Sequence, residues 1–162
     1  MNIDQVMTPT VTAGQDMNVR EFIAECTRAN TPGLPFCTRS GRISGRVTLK
    51  NVFKKSCLPE YLVETARILG GDLTCMDDIE EKTRQMMELP VDRFVQEPHL
   101  AVGSDTTALK ALALMEQNDT SYIFVVDNGR YRGVVTIQGL ARKLAALDNT
   151  GQTLPDGNAP GQ

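Results

Sequence analysis

The chain has 162 residues, of which 41% are hydrophobic and 23% are charged, a composition typical of a globular protein and outside the disordered, collagenous and disulfide-rich classes. Seventeen Lys and Arg residues against 20 Asp and Glu residues give a net charge of −3, which argues against a protein that binds nucleic acids through a broad basic face. The chain has a single histidine and its cysteines form no C-x-x-C pair, which argues against a zinc site. It has no apolar run long enough for a membrane span and no signal-peptide pattern, so we expect a cytoplasmic protein.

The first half of the chain reads as an extended segment, a helix, a hairpin and a second helix. Residues 10–12 are predicted to be extended, and residues 14–16 form a turn that caps a helix. The apolar side of this helix has helical spacing, with members Val19, Phe22, Ile23 and Cys26. Residues 34–37 and 43–47 are predicted to be the strands of a hairpin, and Thr48 begins the second helix.

The stretch over residues 58–88 is long for a connector and does not have the composition of a loop. A helix is predicted over residues 61–69, where Gly70-Gly71 stops it. Asp77 is predicted to cap a second helix that runs through Met86-Met87. The apolar side of these helices fits the core or a partner surface, and the core is the commoner use of such a pattern.

The second half of the chain repeats the order of the first. A helix is predicted over residues 108–117, a strand over 122–126 and a turn at 127–130. In each half a Gly-h-h-Thr pattern closes the last strand, as Gly45-Arg46-Val47-Thr48 and as Gly133-Val134-Val135-Thr136. The sequence therefore predicts the same β-α-β-β-α unit twice.

This duplicated order resembles a tandem pair of CBS domains, the cystathionine β-synthase type of regulatory module that is also called a Bateman module. Pro9 and Pro98, which open the two units, and the Gly-h-h-Thr pattern carry the resemblance. It implies an α+β fold in which two β-α-β-β-α CBS repeats pack about a pseudo-twofold and are joined by a helical linker. It divides the chain into CBS repeat 1 (1–56), a helical linker (57–90), CBS repeat 2 (91–147) and a tail that its composition predicts to be disordered (148–162).

The resemblance also implies a ligand and a site. Members of the family commonly bind adenine nucleotides or S-adenosylmethionine in clefts between the repeats, require no cofactor, pair into homodimers and signal to an effector protein. We carry over the family's contact positions residue by residue and add the cations near each helix start. The first cleft then comprises Thr10, Val11, Leu34, Pro35, Arg46, Thr48, Lys50 and Asn51. The second cleft comprises His99, Leu100, Tyr122, Ile123, Arg132 and Thr136.

Both copies depart from the family's Ser/Thr-x-x-Asp motif, whose carboxylate accepts from the two ribose hydroxyls. The motif reads Thr48-Leu49-Lys50-Asn51 in the first copy and Thr136-Ile137-Gln138-Gly139 in the second. Loss of a charge-assisted hydrogen bond of this kind costs about 1.5–3 kcal/mol, or roughly ten- to a hundredfold in affinity. We therefore expect the first cleft to be the better nucleoside site, and the second to be weak, empty or used by a ligand without a ribose.

Simpler interpretations stay open beside this one. Thr48 and Thr136 are equally well explained as helix N-caps, and the cations as exposed surface charges. His99 fits a structural or stacking role better than catalysis, and Cys57 and Cys75 fit packing better than redox chemistry. The leading hypothesis is a non-catalytic sensor, and the alternative is a structural dimerisation module with degenerate sites. An enzyme is disfavoured because no G-x-x-x-x-G-K, G-x-S-x-G or H-E-x-x-H motif is present.

Overall fold

The computed structural model describes residues 1–58, 60–68 and 79–150. Within these ranges the helices are α1 (Val19–Ala29), α2 (Leu49–Cys57), α3 (Glu60–Thr65), α4 (Ile79–Met87), α5 (Ala108–Gln117) and α6 (Ile137–Thr150). The strands are β1 (Gly33–Cys37), β2 (Ile43–Thr48), β3 (Ala101–Val102), β4 (Tyr122–Asp127) and β5 (Arg130–Thr136), and short 3-10 turns lie at Ile3–Gln5 and Val91–Phe94. The fold class is therefore α+β, as expected. Residues 148–150 of the predicted disordered tail belong to α6, which corrects the prediction there. Residues 151–162 of the tail lie outside the described residues, as do residues 69–78 with Gly70-Gly71, Cys75 and Asp77.

The N-cap of helix α1 lies two residues after the predicted capping turn at residues 14–16. Its N-cap is Asn18, whose side chain accepts from the Glu21 N–H at 2.9 Å while Glu21 Oε2 accepts from the Asn18 N–H at 3.0 Å. This reciprocal pair is a capping box, which satisfies two backbone donors at the helix start. The prediction of its apolar side is confirmed, because Val19, Phe22 and Cys26 are buried.

The two halves differ at the first predicted strand of each. In the second half β3 pairs parallel to β4, and β4 pairs antiparallel to β5, so the unit β-α-β-β-α is complete. In the first half β1 and β2 form a two-stranded antiparallel sheet, and residues 10–12 are not a strand. A single parallel bridge between Ala13 and Phe36 stands in its place.

Pro35 explains why the first ladder stops at one bridge. In the second half the Phe124 N–H donates to Leu100 O at 3.0 Å and begins the parallel ladder. The repeat aligns Phe124 with Pro35, which has no N–H to donate. Val11 O therefore lacks the donor that Leu100 O has, and the Val11 N–H donates to Glu25 Oε1 at 3.1 Å, which ties this segment to α1.

Each half is completed by the segment that precedes the other half in the chain. Ile3 is fully buried in the core of the second half, among Ala111, Met115 and Ile123 and their neighbours. In the same way the core of the first half contains Met86, Val91 and Phe94, so the apolar side of α4 packs into the core as the commoner interpretation expects. Because the segments cross over in this way, the exact domain boundaries stay a prediction.

The glycine of each Gly-h-h-Thr pattern is required by these crossing segments. Arg46 exchanges two backbone hydrogen bonds with Gln96, at 2.9 and 2.8 Å, directly beside Gly45. A Cβ on Gly45 would lie 2.6 Å from Gln96 O, and a Cβ on Gly133 would lie 2.6 Å from Thr8 O. Only glycine allows the two backbones to approach so closely.

None of the helices in the described ranges is long and apolar enough to cross a membrane.

Candidate ligand-binding cleft

A cavity of about 460 Å³ lies between the two halves, a volume in the range that small-molecule sites occupy. The first half contributes Pro32, Arg46, Thr48, Lys50, Asn51 and Lys54 to its lining. The crossing segment contributes Gln96, and the second half contributes Asn118, Asp119, Thr120, Ser121 and Tyr122. A ligand in this cavity would contact both halves at once. We call it the inter-repeat cleft.

The start of helix α2 forms one wall of the cleft and is already capped. Thr48 Oγ1 accepts from the Asn51 N–H at 3.1 Å, and the Leu49 N–H donates to Pro32 O at 2.9 Å. Within the described ranges these bonds leave the Lys50 N–H of the first turn, and the hydroxyl proton of Thr48, as donors for a ligand. The N-cap interpretation of Thr48 is therefore confirmed, and it is compatible with a ligand.

Helix α6 begins in the same way in the second half. Thr136 Oγ1 accepts from the Gly139 N–H at 3.0 Å, and the Ile137 N–H donates to Ser121 O at 3.0 Å. The N-cap interpretation is confirmed here as well. Because the two junctions make equivalent bonds, each serves as a structural reference for the other.

Asn51 has a structural use that explains its departure from the family's aspartate. It is 7% exposed, and its Nδ2 donates to Phe94 O at 3.1 Å. This bond ties helix α2 to the crossing segment, and an aspartate at the same place has no proton to donate at neutral pH. What Asn51 offers to a ligand is its amide oxygen, a single neutral acceptor.

Two residues of the lining carry buried polar atoms. Tyr122 is only 7% exposed, and within the described residues neither its hydroxyl nor the buried Arg46 Nε makes a hydrogen bond of ordinary geometry. Burial raises the pKa of Tyr122, and the Arg46 guanidinium beside the hydroxyl opposes that rise through its charge and as a hydrogen-bond donor. The two side chains, one from each half, are therefore neighbours in the wall of the cleft.

The charge of the cleft is positive. Arg46, Lys50 and Lys54 line it against one carboxylate, that of Asp119. In the part of the chain that the structure describes, Arg46 forms no ion pair. One partly buried arginine and two exposed lysines therefore give the cleft a local positive charge that favours an anionic ligand, although the chain as a whole is acidic.

The structure brings some of the predicted site residues together and separates others. Those that line the inter-repeat cleft are Arg46, Thr48, Lys50, Asn51 and Tyr122. Tyr122, which the resemblance assigns to the second cleft, thus lies beside the helix start of the first half. The reason is that the beginning of β4 faces α2 across the boundary between the halves. Whether these residues contact a ligand stays a prediction.

Several predicted residues are engaged in the fold instead. Leu34 and Ile123 are fully buried in the two cores, where no surface remains for a base. Pro35 is buried in β1, and Leu100 packs against the second core. Thr136 is 6% exposed at its helix start.

The remaining predicted residues lie away from the inter-repeat cleft. Thr10 Oγ1 forms a hydrogen bond with the Tyr131 hydroxyl at 2.6 Å. Val11 lines a separate surface cavity, and His99 lines another with Arg42 and Glu97. Arg132 is exposed, and its Nε forms a long ion pair with Asp127 Oδ2 at 3.9 Å.

The loop at residues 118–121 is the largest part of the lining that the predicted site did not include; Pro32, Lys54 and Gln96 are the rest. It follows helix α5, and Asp119 has a left-handed φ of 48°, close to the 51° of Asn30 at the end of α1. An Asn-Asp pair after a helix is a recognisable turn signal, so the loop itself was predictable. That it faces the start of α2 depends on the packing of the two halves.

Comparison with known proteins identifies the fold. Residues 91–146 match the family model of the CBS domain. No curated protein matches the chain. The structure of a CBS domain-containing protein of unknown function from Kribbella flavida is 21% identical and has a TM-score of 0.59, covering 90% of this chain and 99% of its own.

Two further structures agree with this one. The CBS domain of a membrane protein from Sphaerobacter thermophilus is 17% identical, with a TM-score of 0.61 and coverage of 88% of this chain and 86% of its own. A Methanocaldococcus jannaschii protein, described as a putative archaeal homologue of g-AMPK, is 16% identical with a TM-score of 0.59, and the match covers 88% of this chain and 47% of that protein. At these identities the similarity shows a shared fold.

Proposed function

We propose that this chain, which contains a CBS domain and has the fold of a tandem CBS pair or Bateman module, is a non-catalytic sensor that binds an adenine nucleotide or another adenosyl compound in the inter-repeat cleft and signals to a partner protein. The observation that carries the proposal is the cavity of about 460 Å³ that both halves line. A ligand there stabilises one relative placement of the halves, which is the requirement for a regulatory response. CBS-domain proteins are commonly regulatory modules.

The chemistry of the helix start supports a nucleotide. The Thr48 hydroxyl and the Lys50 N–H donate to phosphate or ribose oxygens, and the positive helix end favours an anion. The Asn51 oxygen accepts from one ribose hydroxyl where an aspartate would accept from two. The similarity to a putative homologue of g-AMPK is in keeping with a ligand of this class.

The signal passes through elements that touch the cleft. Gln96 lines it and belongs to the segment that completes the first half, and Asn51 holds the same segment through Phe94 O at 3.1 Å. A ligand that engages α2 therefore acts on the connection between the halves. We infer that this connection transmits binding to an effector protein.

We further propose that the protein is a homodimer. Helices α5 and α6 leave large apolar side chains uncovered: Leu109 is 78% exposed and Leu144 is 51% exposed. Such side chains gain from burial against a second surface. A dimer without ligand binding is the alternative function, a structural dimerisation module.

A thermal-shift panel of AMP, ADP, ATP and S-adenosylmethionine tests the nucleotide proposal. A ligand present at 100 times its Kd stabilises the folded protein by about 2.7 kcal/mol. The matched variants are Thr48→Ala and Thr136→Ala, each of which loses an equivalent N-cap and about 1 kcal/mol of stability. We expect the ligand shift to disappear only in Thr48→Ala.

Three results would count against the proposal. If no adenosyl compound moves the melting temperature at millimolar concentration, the nucleotide function is wrong. If the protein shows no thermal shift but has the mass of a dimer in light scattering, the structural dimerisation module replaces the sensor as its function. An equal loss of the ligand shift in both threonine variants would place the site elsewhere.

A further inference from the structure

Another cavity, of about 310 Å³, is formed by the end of helix α2, helix α4 and the 3-10 turn that follows α4. Its lining includes three cations, Lys55, Lys82 and Arg93, and the apolar residues Leu89 and Phe94. We call it the basic groove. We propose that the basic groove is the docking site for an acidic segment of the effector protein, with an apolar side chain of that segment between the cations. The proposal rests on the proposed function in taking the chain as a sensor with a protein partner, and it adds where that partner binds and what its chemistry is.

The cations of the basic groove lack counter-ions. Among the described residues no carboxylate lines the groove, and none of Lys55, Lys82 and Arg93 forms an ion pair. Lys55 and Arg93 are exposed and Lys82 is half-buried. Three positive charges around one cavity repel one another, and a bound carboxylate relieves that repulsion. Because each exposed ion pair adds little affinity, a segment with several carboxylates fits this lining better than a single one.

Helical spacing explains why the carboxylates of α4 do not neutralise the groove. Lys82 and Met86 are one turn apart and both line it. Glu80 and Glu81 are instead paired with Arg84, at 3.7 and 3.1 Å. Residues three and four apart on a helix are neighbours, so these acids are engaged within their own helix. One face of α4 therefore stays positive although the helix carries several acids.

The shape of the groove favours a protein segment over a membrane or a nucleic acid. Phe94 is only 4% exposed and Leu89 is half-buried, so the apolar part is recessed. A single side chain enters such a recess, whereas a flat bilayer does not. The net charge of −3 also opposes wide contact with anionic lipid or with a phosphate backbone. A short acidic segment contacts the groove alone.

The other half of the chain shows that the arginine of the groove is not required by the fold. Gln96 and Thr8 form the equivalent crossing bridges of the two halves. This equivalence places Gln5 at the position of Arg93. Both residues belong to a 3-10 turn, so the turn forms with or without a cation at this position.

The basic groove shares structural elements with the inter-repeat cleft. Helix α2 contributes Lys50 and Asn51 to the cleft and Lys55 to the groove. Phe94 lines the groove, and its carbonyl oxygen accepts from Asn51 Nδ2 at 3.1 Å. A ligand that moves α2 or the crossing segment therefore changes the groove. Because such coupling is reciprocal, an occupant of the groove should change the affinity of the cleft by the same factor.

Fluorescence anisotropy with the full chain tests the inference, and the probe is a short labelled peptide that alternates acidic residues with leucine. We expect this peptide to bind, and a peptide with lysine in place of the acidic residues to show no binding. A peptide with serine in place of leucine should bind about threefold more weakly, because it lacks the apolar side chain. AMP, if it binds in the cleft, should change the Kd of the acidic peptide by at least about twofold.

The variants locate the binding site. Lys82→Glu with Arg93→Glu should weaken binding of the acidic peptide by at least about tenfold. The matched control is Lys110→Glu with Arg142→Glu, which reverses two exposed cations outside both cavities and makes the same change in net charge. It should alter the Kd by less than about twofold at physiological salt concentration. Arg93→Gln, which introduces the residue type of the other half, should weaken binding by about two- to fivefold.

The outcomes separate the docking site from the nucleotide function. If AMP binds but the acidic peptide does not, or if both double variants lose the peptide equally, the docking site is wrong and the nucleotide function stands. If the peptide binds in an Arg93-dependent way and no nucleotide binds, the docking site stands and the nucleotide function is wrong. If both bind and the Kd of the peptide does not depend on AMP, the role of the groove in signalling is overturned.

Two controls complete the test. Vesicles that contain phosphatidylserine should not bind; if they bind in an Arg93-dependent way and the peptide does not, a membrane replaces the protein segment and the proposal is overturned. Circular dichroism of each variant shows whether a loss of binding reflects unfolding. If the double variant in the groove is unfolded, Arg93→Gln decides the matter, and an unchanged Kd in that variant contradicts the proposal.

Discussion

Substitution of Tyr122 by phenylalanine tests the unsatisfied hydroxyl in the ligand-free protein. The side chain is 7% exposed, and within the described residues its hydroxyl makes no hydrogen bond of ordinary geometry, although the Arg46 guanidinium lies beside it. Burial of such a group costs about 1–3 kcal/mol, part of which is recovered when the oxygen is removed. The ring itself stays packed, with its centroid 5.4 Å from that of Phe124. We therefore expect Tyr122→Phe to raise the free energy of unfolding by about 1 kcal/mol.

The assay is urea denaturation of the protein without ligand, and Tyr131→Phe is the matched control. The Tyr131 hydroxyl is paired with Thr10 Oγ1 at 2.6 Å, so its removal should lower stability by about 1 kcal/mol. The two tyrosine variants should thus change the urea midpoint in opposite directions. An increase of 1 kcal/mol corresponds to roughly 2–4 °C in Tm for a chain of this size. If Tyr122→Phe is destabilised as much as Tyr131→Phe, the Tyr122 hydroxyl is paired in the folded protein and the reasoning is refuted.

Three further predictions concern stability. Asn51→Asp should lower the free energy of unfolding by about 1–3 kcal/mol, because the carboxylate would face Phe94 O where Nδ2 now donates at 3.1 Å. Urea denaturation measures this change, and an unchanged midpoint would contradict the prediction. Gly133→Ala should cost about 1–3 kcal/mol in the same assay, because its Cβ would lie 2.6 Å from Thr8 O, and a neutral result would refute the close crossing. Burial raises the pKa of Cys26 from 9.0 to about 12, so its contribution to stability is complete below pH 9 and is lost as the pH rises toward 12. Stability measured across that range should fall more steeply for the wild type than for Cys26→Ala, and parallel curves would show that the thiol is not protected.

Much of the fold follows from patterns between neighbouring residues. The apolar spacing of Val19, Phe22 and Cys26 predicts the buried side of α1, and the repeated Gly-h-h-Thr pattern predicts two equivalent strand-to-helix junctions. Both junctions are present, with Thr48 and Thr136 as caps. These features are local, so short stretches of sequence are sufficient to specify them.

Local reasoning failed where a partner strand decides the outcome. Residues 10–12 have the composition of a strand, yet no ladder forms because Pro35, opposite them, lacks an N–H. The helix cap at Asn18 was missed in favour of the earlier turn, although Asn18 and Glu21 have the spacing of a capping box. The second error was avoidable from the sequence, whereas the first required the strand pairing.

Short-range patterns were sufficient to predict most of the repeated unit, its threonine caps and the polar residues at the end of each repeat. The packing of the two halves is what brings Tyr122 of the second half beside Arg46 and Thr48 of the first, and what places residues 1–8 in the second core and residues 86–96 in the first. The physical reason is that helix and turn signals act over a few residues, whereas the cleft depends on how two apolar surfaces distant in the chain bury each other.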